Sequence, residues 1–349
     1  MRHHLLGVAA IATASFLTVM GATVGVGDPP GVAGDGPPAV TAPGAEAEAV
    51  AELVFSEGPA WHTEGYVYFT DISNNRIVRW RKGGRIETVI AKSNRANGLC
   101  FDRDGMLIAC EGMEDDASIP DEGRALTRRD LASGTRTVLC DRYEGRRFNS
   151  PNDLCIDREG FIYFTDPYYG GDRKRIEQDC EGVYRVRSDG SGVKRILDAK
   201  DVKRPNGIAI SPDRKTLYVV DNKPDEPPSR MVLAFNLAED GTASGRRVLF
   251  DFKGGRGGDG MSIDMEGNLY VAAGANRKYP NQSTQFPAGV YVISPQGKLL
   301  QTIKISEDMC TNCCFGGEDG RTLFVTAGKT LFAVPTTKIG YNVWPTAAP

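Results

Sequence analysis

The chain has 349 residues, 40% hydrophobic and 25% charged, with 42 basic and 45 acidic side chains and a net charge of -3. This is an ordinary globular composition with ample material for a core, and the even mix of charges gives no sign of a nucleic-acid or anionic-membrane partner. Only three histidines occur, His3, His4 and His62, which argues against a serine-histidine-acid hydrolase and against a histidine zinc site.

Residues 1–26 begin with a short basic stretch and continue as an apolar run of small residues. They read as a secretory signal peptide, so the mature protein is expected to be exported, periplasmic or extracellular, with no membrane attachment after cleavage. A retained anchor is the competing reading, but Gly and Thr interrupt the run and its strongly apolar part is short. Residues 27–48 are rich in Pro, Gly and Ala without an apolar period and read as a disordered leader. The segment AVAELVF, residues 49–55, then reads as a single strand with no partner in its own neighbourhood.

From Glu57 onward one unit recurs. The copies are EGPAWHTEGYVYFTD, NGLCFDRDGMLIACE, NDLCIDREGFIYFTD, NGIAISPDRKTLYVVD, DGMSIDMEGNLYVAAG and NCCFGGEDGRTLFVTA. They start at Glu57, Asn97, Asn152, Asn206, Asp259 and Asn312, spaced 40, 55, 54, 53 and 53 residues apart. Each reads as a strand, a polar turn and a second strand with an aromatic or large apolar centre. A third strand follows every copy, and a fourth follows the first five. The sixth lacks one, and residues 49–55 supply the missing piece. The expected fold is therefore all-β: a six-bladed β-propeller of four-stranded antiparallel blades spanning 49–349, its ring closed by the N-terminal strand joining the last blade. Asp71, Asp166 and Asp221 end second strands and are expected to hold turns by hydrogen bonds. His62 is expected on the surface.

In a propeller the first strand of each blade lines the central channel, so the six starting residues converge on the axis. All six carry oxygen and none is basic or apolar. Carboxylates held close repel one another unless a proton or a cation intervenes. An all-oxygen set favours a hard divalent ion, Ca²⁺ first, with Mg²⁺, Mn²⁺ or Zn²⁺ as alternatives. Turn chemistry is the duller explanation for any one Asn or Asp before Gly, but six in register exceed it. The eight cysteines all lie in the body of the chain. Cys100 and Cys155 read as small buried hydrophobes. The cluster Cys310, Cys313, Cys314 has no accompanying histidine or second cysteine pair and reads poorly as a zinc site. A disulfide within it, or to Cys180, stays open.

SEGPAW, RFNSPNDLCIDREG, RPNGIAISPD, GDGMSIDMEGNLYVA and CTNCCFGGEDGRTLFVT, in that order and spacing, resemble the senescence marker protein (regucalcin), gluconolactonase and luciferin-regenerating family, nearest its bacterial gluconolactonase-like branch. The resemblance runs from about residue 50 to residue 335. It implies one divalent metal in the channel held by Glu57, Asn152, Asn206 and Asp259, and hydrolysis of sugar lactones or related esters, with Asp259 as the proton acceptor. An arginine that holds substrate in the animal branch is replaced here by Ser150. On this reading the ion polarises the lactone carbonyl, and Asp259 or hydroxide generated at the ion activates water. Asn97 and Asn312 are expected to complete the channel wall and orient substrate, Asp153 to support a neighbouring ligand, and Tyr168, paired with Tyr169, to offer a stacking wall near the mouth. Two alternatives remain at this point: a non-catalytic propeller that binds a ligand or protein around a structural cation, and a related esterase or organophosphate hydrolase. No feature of the sequence indicates a protein partner.

Overall fold

The computed structural model describes residues 39–344 apart from 54, 113–122, 224–228 and 281. The expected signal peptide and residues 27–38 of the leader lie outside the described residues. Six four-stranded antiparallel sheets make a β-propeller, and in five of them the strands lie in sequence order from inside to outside. The inner strands are Ser56–His62, Ala96–Phe101, Leu154–Ile156, Pro205–Ile210, Gly258–Ile263 and Cys310–Gly316. Each touches the next around the circle, and the last touches the first. In the sixth sheet Glu48–Glu52 pairs antiparallel with Thr330–Pro335 and supplies the outermost strand, closing the ring.

Residues 39–48, expected as part of the leader, have defined places in the fold. Val40 is 2% exposed, and its amide donates to Gln301 Oε1 at 2.9 Å. Thr41 forms an isolated bridge with Thr336. An apolar side chain and a few backbone bonds dock these residues on the fifth and sixth blades, although their composition carries no period.

The packing explains why the strands read as nearly continuous apolar runs. Successive side chains of a strand point to opposite faces, and a blade inside a ring is covered on both. In Tyr66–Asp71, Tyr68 packs with Leu99 and Ala109 of the second blade, while Val67 and Phe69 pack with Phe324 and Leu331 of the sixth. Every blade interface has its own apolar cluster, and together they form a ring of cores around a polar axis.

The turns are built by their own side chains. Asp102 Oδ1 accepts from Asp104 N at 2.9 Å and Met106 N at 3.0 Å. Asp157 and Asp264 repeat the pattern in the third and fifth blades, which accounts for the recurrence of Asp-x-x-Gly between the first two strands. His62 is half-buried against Phe101, its ring centroid 4.7 Å away, rather than lying free on the surface.

Deleting residues 1–52 would strip Thr330–Pro335 of its outer partner. The melting temperature is expected to fall by about 5–10 °C, since a loss of a few kcal/mol moves a chain of this size by that much. Calorimetry on the truncated and full chains measures the difference.

Candidate metal centre and channel mouth

Each channel residue is delivered by the entry into an inner strand, and buried carboxylates at the ends of the second strands hold those entries. Asp166 Oδ2 accepts from Asn149 N and its Oδ1 from Ser150 N, both at 2.8 Å. This fixes the segment that leads to Asn152. Asp221 Oδ1 accepts from Lys203 N at 2.9 Å and Arg204 N at 2.7 Å, just ahead of Asn206. Asp71 Oδ1 takes Phe55 N, two residues before Glu57. The three turn-holding aspartates thus act as expected.

Glycine follows the channel residue in four blades, and at two of them the reason is geometric. A Cβ on Gly58, whose φ is +46°, would lie 2.0 Å from Asn97 O of the next blade. A Cβ on Gly207 would lie 2.4 Å from Asp259 O. Neighbouring inner strands therefore approach backbone to backbone at the level of the channel residues, and the ring could not tighten there with any other side chain.

That approach gathers the polar groups. Glu57, Asn152, Asn206 and Asp259 are each 6–9% exposed. Burial raises the Glu57 carboxyl well above its usual range, the negative charge of Asp259 raises it further, and the Gly58 amide, donating to Oε2 at 3.0 Å, opposes both. Burial also raises Asp259, against the Arg256 guanidinium and the Asn206 amide. Arg256 pairs with Asp259 Oδ2 and donates through Nη1 to Cys310 O at 2.7 Å. The side-chain amides of Asn97 and Asn152 have no hydrogen-bond partner among the described residues, although Asn152 is buried.

Two expectations need correction. Asn312, expected to orient substrate, is occupied at both ends: Nδ2 donates to Asp153 Oδ2 at 3.3 Å, and Oδ1 accepts from Cys313 N at 2.8 Å. It reaches Asp153 of the third blade, and these two residues line a cavity of about 170 Å³ that continues between the inner strands to Tyr341–Trp344. Asp153, raised to about 7 by burial, faces this lower channel rather than only supporting Asn152. Tyr168 is 1% exposed and donates its hydroxyl to Asp172 O at 2.7 Å; a side chain sealed inside its loop cannot line the mouth. Its neighbour Tyr169 does, accepting from Asn206 Nδ2 at 2.8 Å. Sequence reasoning also missed Arg256 and Arg204. The signals were there, since both arginines stand two or three residues ahead of a channel residue, in RPN and RGGDG.

The donor set fits a hard divalent cation. It offers two buried carboxylates that disfavour each other and the oxygens of two amides, Asn152 and Asn206, that accept no hydrogen bond among the described residues. Among the described residues no three His, Cys, Asp or Glu side chains cluster as a metal site, so a cation here depends on amide oxygens beside Glu57 and Asp259. All eight cysteines are free thiols. Cys310 and Cys313 pack between the fifth and sixth blades and Cys314 between the sixth and first, so the three do not converge.

Comparison with known proteins shows the family and the fold. The family model for the SMP-30/gluconolactonase/LRE-like region matches residues 55–329. The chain belongs to that family. A gluconolactonase of Zymomonas mobilis is 32% identical over 309 residues, covering 83% of this chain and 80% of that one. The structure of a Xanthomonas campestris gluconolactonase superposes with a TM-score of 0.68 at 29% identity, covering 87% of this chain and 99% of its own. A calcium-binding regucalcin from Agrobacterium tumefaciens shares the fold, with a TM-score of 0.66 at 20% identity over 84% of this chain and 94% of its own. The SMP-30/gluconolactonase/LRE-like match ends near the close of the sixth blade's second strand, so it takes in all six channel residues.

Two measurements test the local account. In Gly207→Ala the new methyl group must push Asp259 outward, and denaturant unfolding is expected to show a loss of about 1–3 kcal/mol. Asp166 carries a carboxyl raised to about 7 by burial, against about 4 when unfolded. It holds its proton more tightly in the folded state, so its contribution is complete below pH 4 and is lost as pH rises through about 7. Asp166→Asn is expected to flatten the fall in stability between those limits, as read from urea midpoints.

Proposed function

We propose that the chain is a lactonase that opens sugar lactones at the channel mouth and depends on a divalent cation, most simply Ca²⁺. The observation that carries the reading is the buried pair Glu57 and Asp259, charge-coupled on one axis beside the Asn152 and Asn206 amides. The gluconolactonases of Zymomonas mobilis and Xanthomonas campestris, similar over most of their length, support the substrate class. The apolar, signal-like residues 1–26 support export.

Glu57, Asn152, Asn206 and Asp259 would hold the cation, which when bound supplies a Lewis acid for the lactone carbonyl. The remaining work falls to the protein. Arg256 anchors Asp259 through Oδ2, and the Asn206 amide donates to the same carboxylate. Asp259 accepts a proton from water as the water oxygen attacks the carbonyl carbon. The ring C–O bond then breaks, and the departing alkoxide takes that proton back from Asp259, which gives the hydroxy acid and restores the carboxylate. Asn97, whose side-chain amide has no partner among the described residues, is placed to bind a substrate hydroxyl.

Glu57→Gln and Asp259→Asn keep the shape of the site and remove one charge each. Each is expected to lower kcat/KM on D-glucono-1,5-lactone on the order of 100-fold with the circular dichroism spectrum unchanged. Full activity in both folded variants would overturn the assignment.

A further inference from the structure

Tyr169 stands apart from the other aromatic residues of this protein. Among the described residues it is the only aromatic side chain in the group of exposed large hydrophobics, at 40% exposure. Its hydroxyl nevertheless lies 2.8 Å from the Nδ2 of the buried channel residue Asn206. An exposed ring tied to a buried amide joins the mouth of the channel to its polar axis.

The ring is held from behind. The Arg204 guanidinium sits 5.3 Å from its centroid. Arg204 is itself fixed on the buried Glu181, with Nε to Oε2 at 2.9 Å and Nη2 to Oε1 at 3.3 Å. Glu181 also accepts from Arg173 at 3.1 Å and from the Tyr168 amide at 3.2 Å. One carboxylate thus braces the loop through Tyr168, the backing arginine and a second arginine. The guanidinium takes one side of the Tyr169 ring, and the exposed remainder is a rigid apolar surface beside the channel.

The hydroxyl has a separate consequence. An asparagine amide has a donor end and an acceptor end, and only the oxygen can face a cation or accept from a substrate hydroxyl. Asn206 Nδ2 is directed at Tyr169 Oη and also stabilises the Asp259 anion. A flipped amide would set Oδ1 against that carboxylate. The two acceptors together fix which end of the amide carries Nδ2 and leave Oδ1 as the end that neither engages.

We propose that Tyr169 is a specificity and positioning residue of this site. Its ring is the wall against which the C–H face of a sugar-type lactone packs, and its hydroxyl fixes the direction of the Asn206 amide. This rests on the lactonase reading above. The two roles separate by substitution. Tyr169→Phe keeps the wall and removes the hydroxyl. Tyr169→Ala removes both.

The test measures kcat and KM on D-glucono-1,5-lactone and Ca²⁺ affinity by calorimetry, for the full chain and both variants. Tyr169→Phe is expected to keep KM within about twofold while kcat falls and the Ca²⁺ Kd rises by about 10-fold, the scale of losing a group that orients a ligand. Tyr169→Ala is expected to add a rise in KM of about 10-fold, the scale of one lost ring contact. Tyr169→Phe, which keeps the ring against Arg204, should melt with wild type, and a purely structural role would not split KM from kcat. If both variants equal wild type in all three quantities while wild type hydrolyses lactone and binds Ca²⁺, this inference is overturned alone. If wild type does neither, the lactonase reading is overturned and this inference falls with it.

Discussion

The structure depends on one constraint: acidic side chains buried together on the axis of a closed ring. Glu57, Asp153 and Asp259 all feel one another's charge, and Arg256 is the cation set among them. Were all three carboxyls ionised, one guanidinium would leave two negative charges with little water to screen them. Two unit charges 4 Å apart in partly shielded surroundings repel by about 4 kcal/mol. Protonation relieves this at the expense of the anions. A divalent ion relieves it while keeping them. The rest of the architecture serves to hold that arrangement in place.

Holding it takes precise backbone placement. Glycines after the channel residues let adjacent inner strands meet almost in contact. Asp166 and Asp221 grip the amides of the segments that enter the ring. Apolar clusters at the blade interfaces supply the cohesion and are kept off the axis. Apolar burial therefore stabilises a cylinder whose centre is polar, and the cost of that centre is spread over six interfaces. The channel is then divided. Asn312 and Asp153 mark the way into a cavity lined by Cys100, Cys155 and Cys314, while the mouth keeps the coupled carboxylates and Tyr169.

Much of this was legible in the sequence because the propeller repeats. Six copies in register betray both the blade and the residue that opens it, and the orphan strand after residue 48 finds its place as soon as the sixth blade proves one strand short. Side-chain direction was not legible. Tyr168 and Tyr169 are adjacent and alike, and only the fold shows that Asp172 O captures one hydroxyl and Asn206 the other. Asn312 occupies the same repeat position as Asn152, yet its amide turns across the ring to Asp153, a contact between residues 159 apart. Arg256 escaped notice because a charge three residues from a carboxylate reads as an ordinary surface pair until the backbone is known to bury both. Val40 escaped because a single docked side chain leaves no period.

The most direct test of the central claim is stoichiometric. Purified protein would be stripped with chelator, assayed on D-glucono-1,5-lactone, and titrated with Ca²⁺ while bound ion and rate are followed together. The account predicts that activity vanishes on stripping and returns in proportion to bound ion, saturating at about one per chain. Full activity in protein shown to be free of divalent metal, or recovery only with several ions per chain, would contradict it.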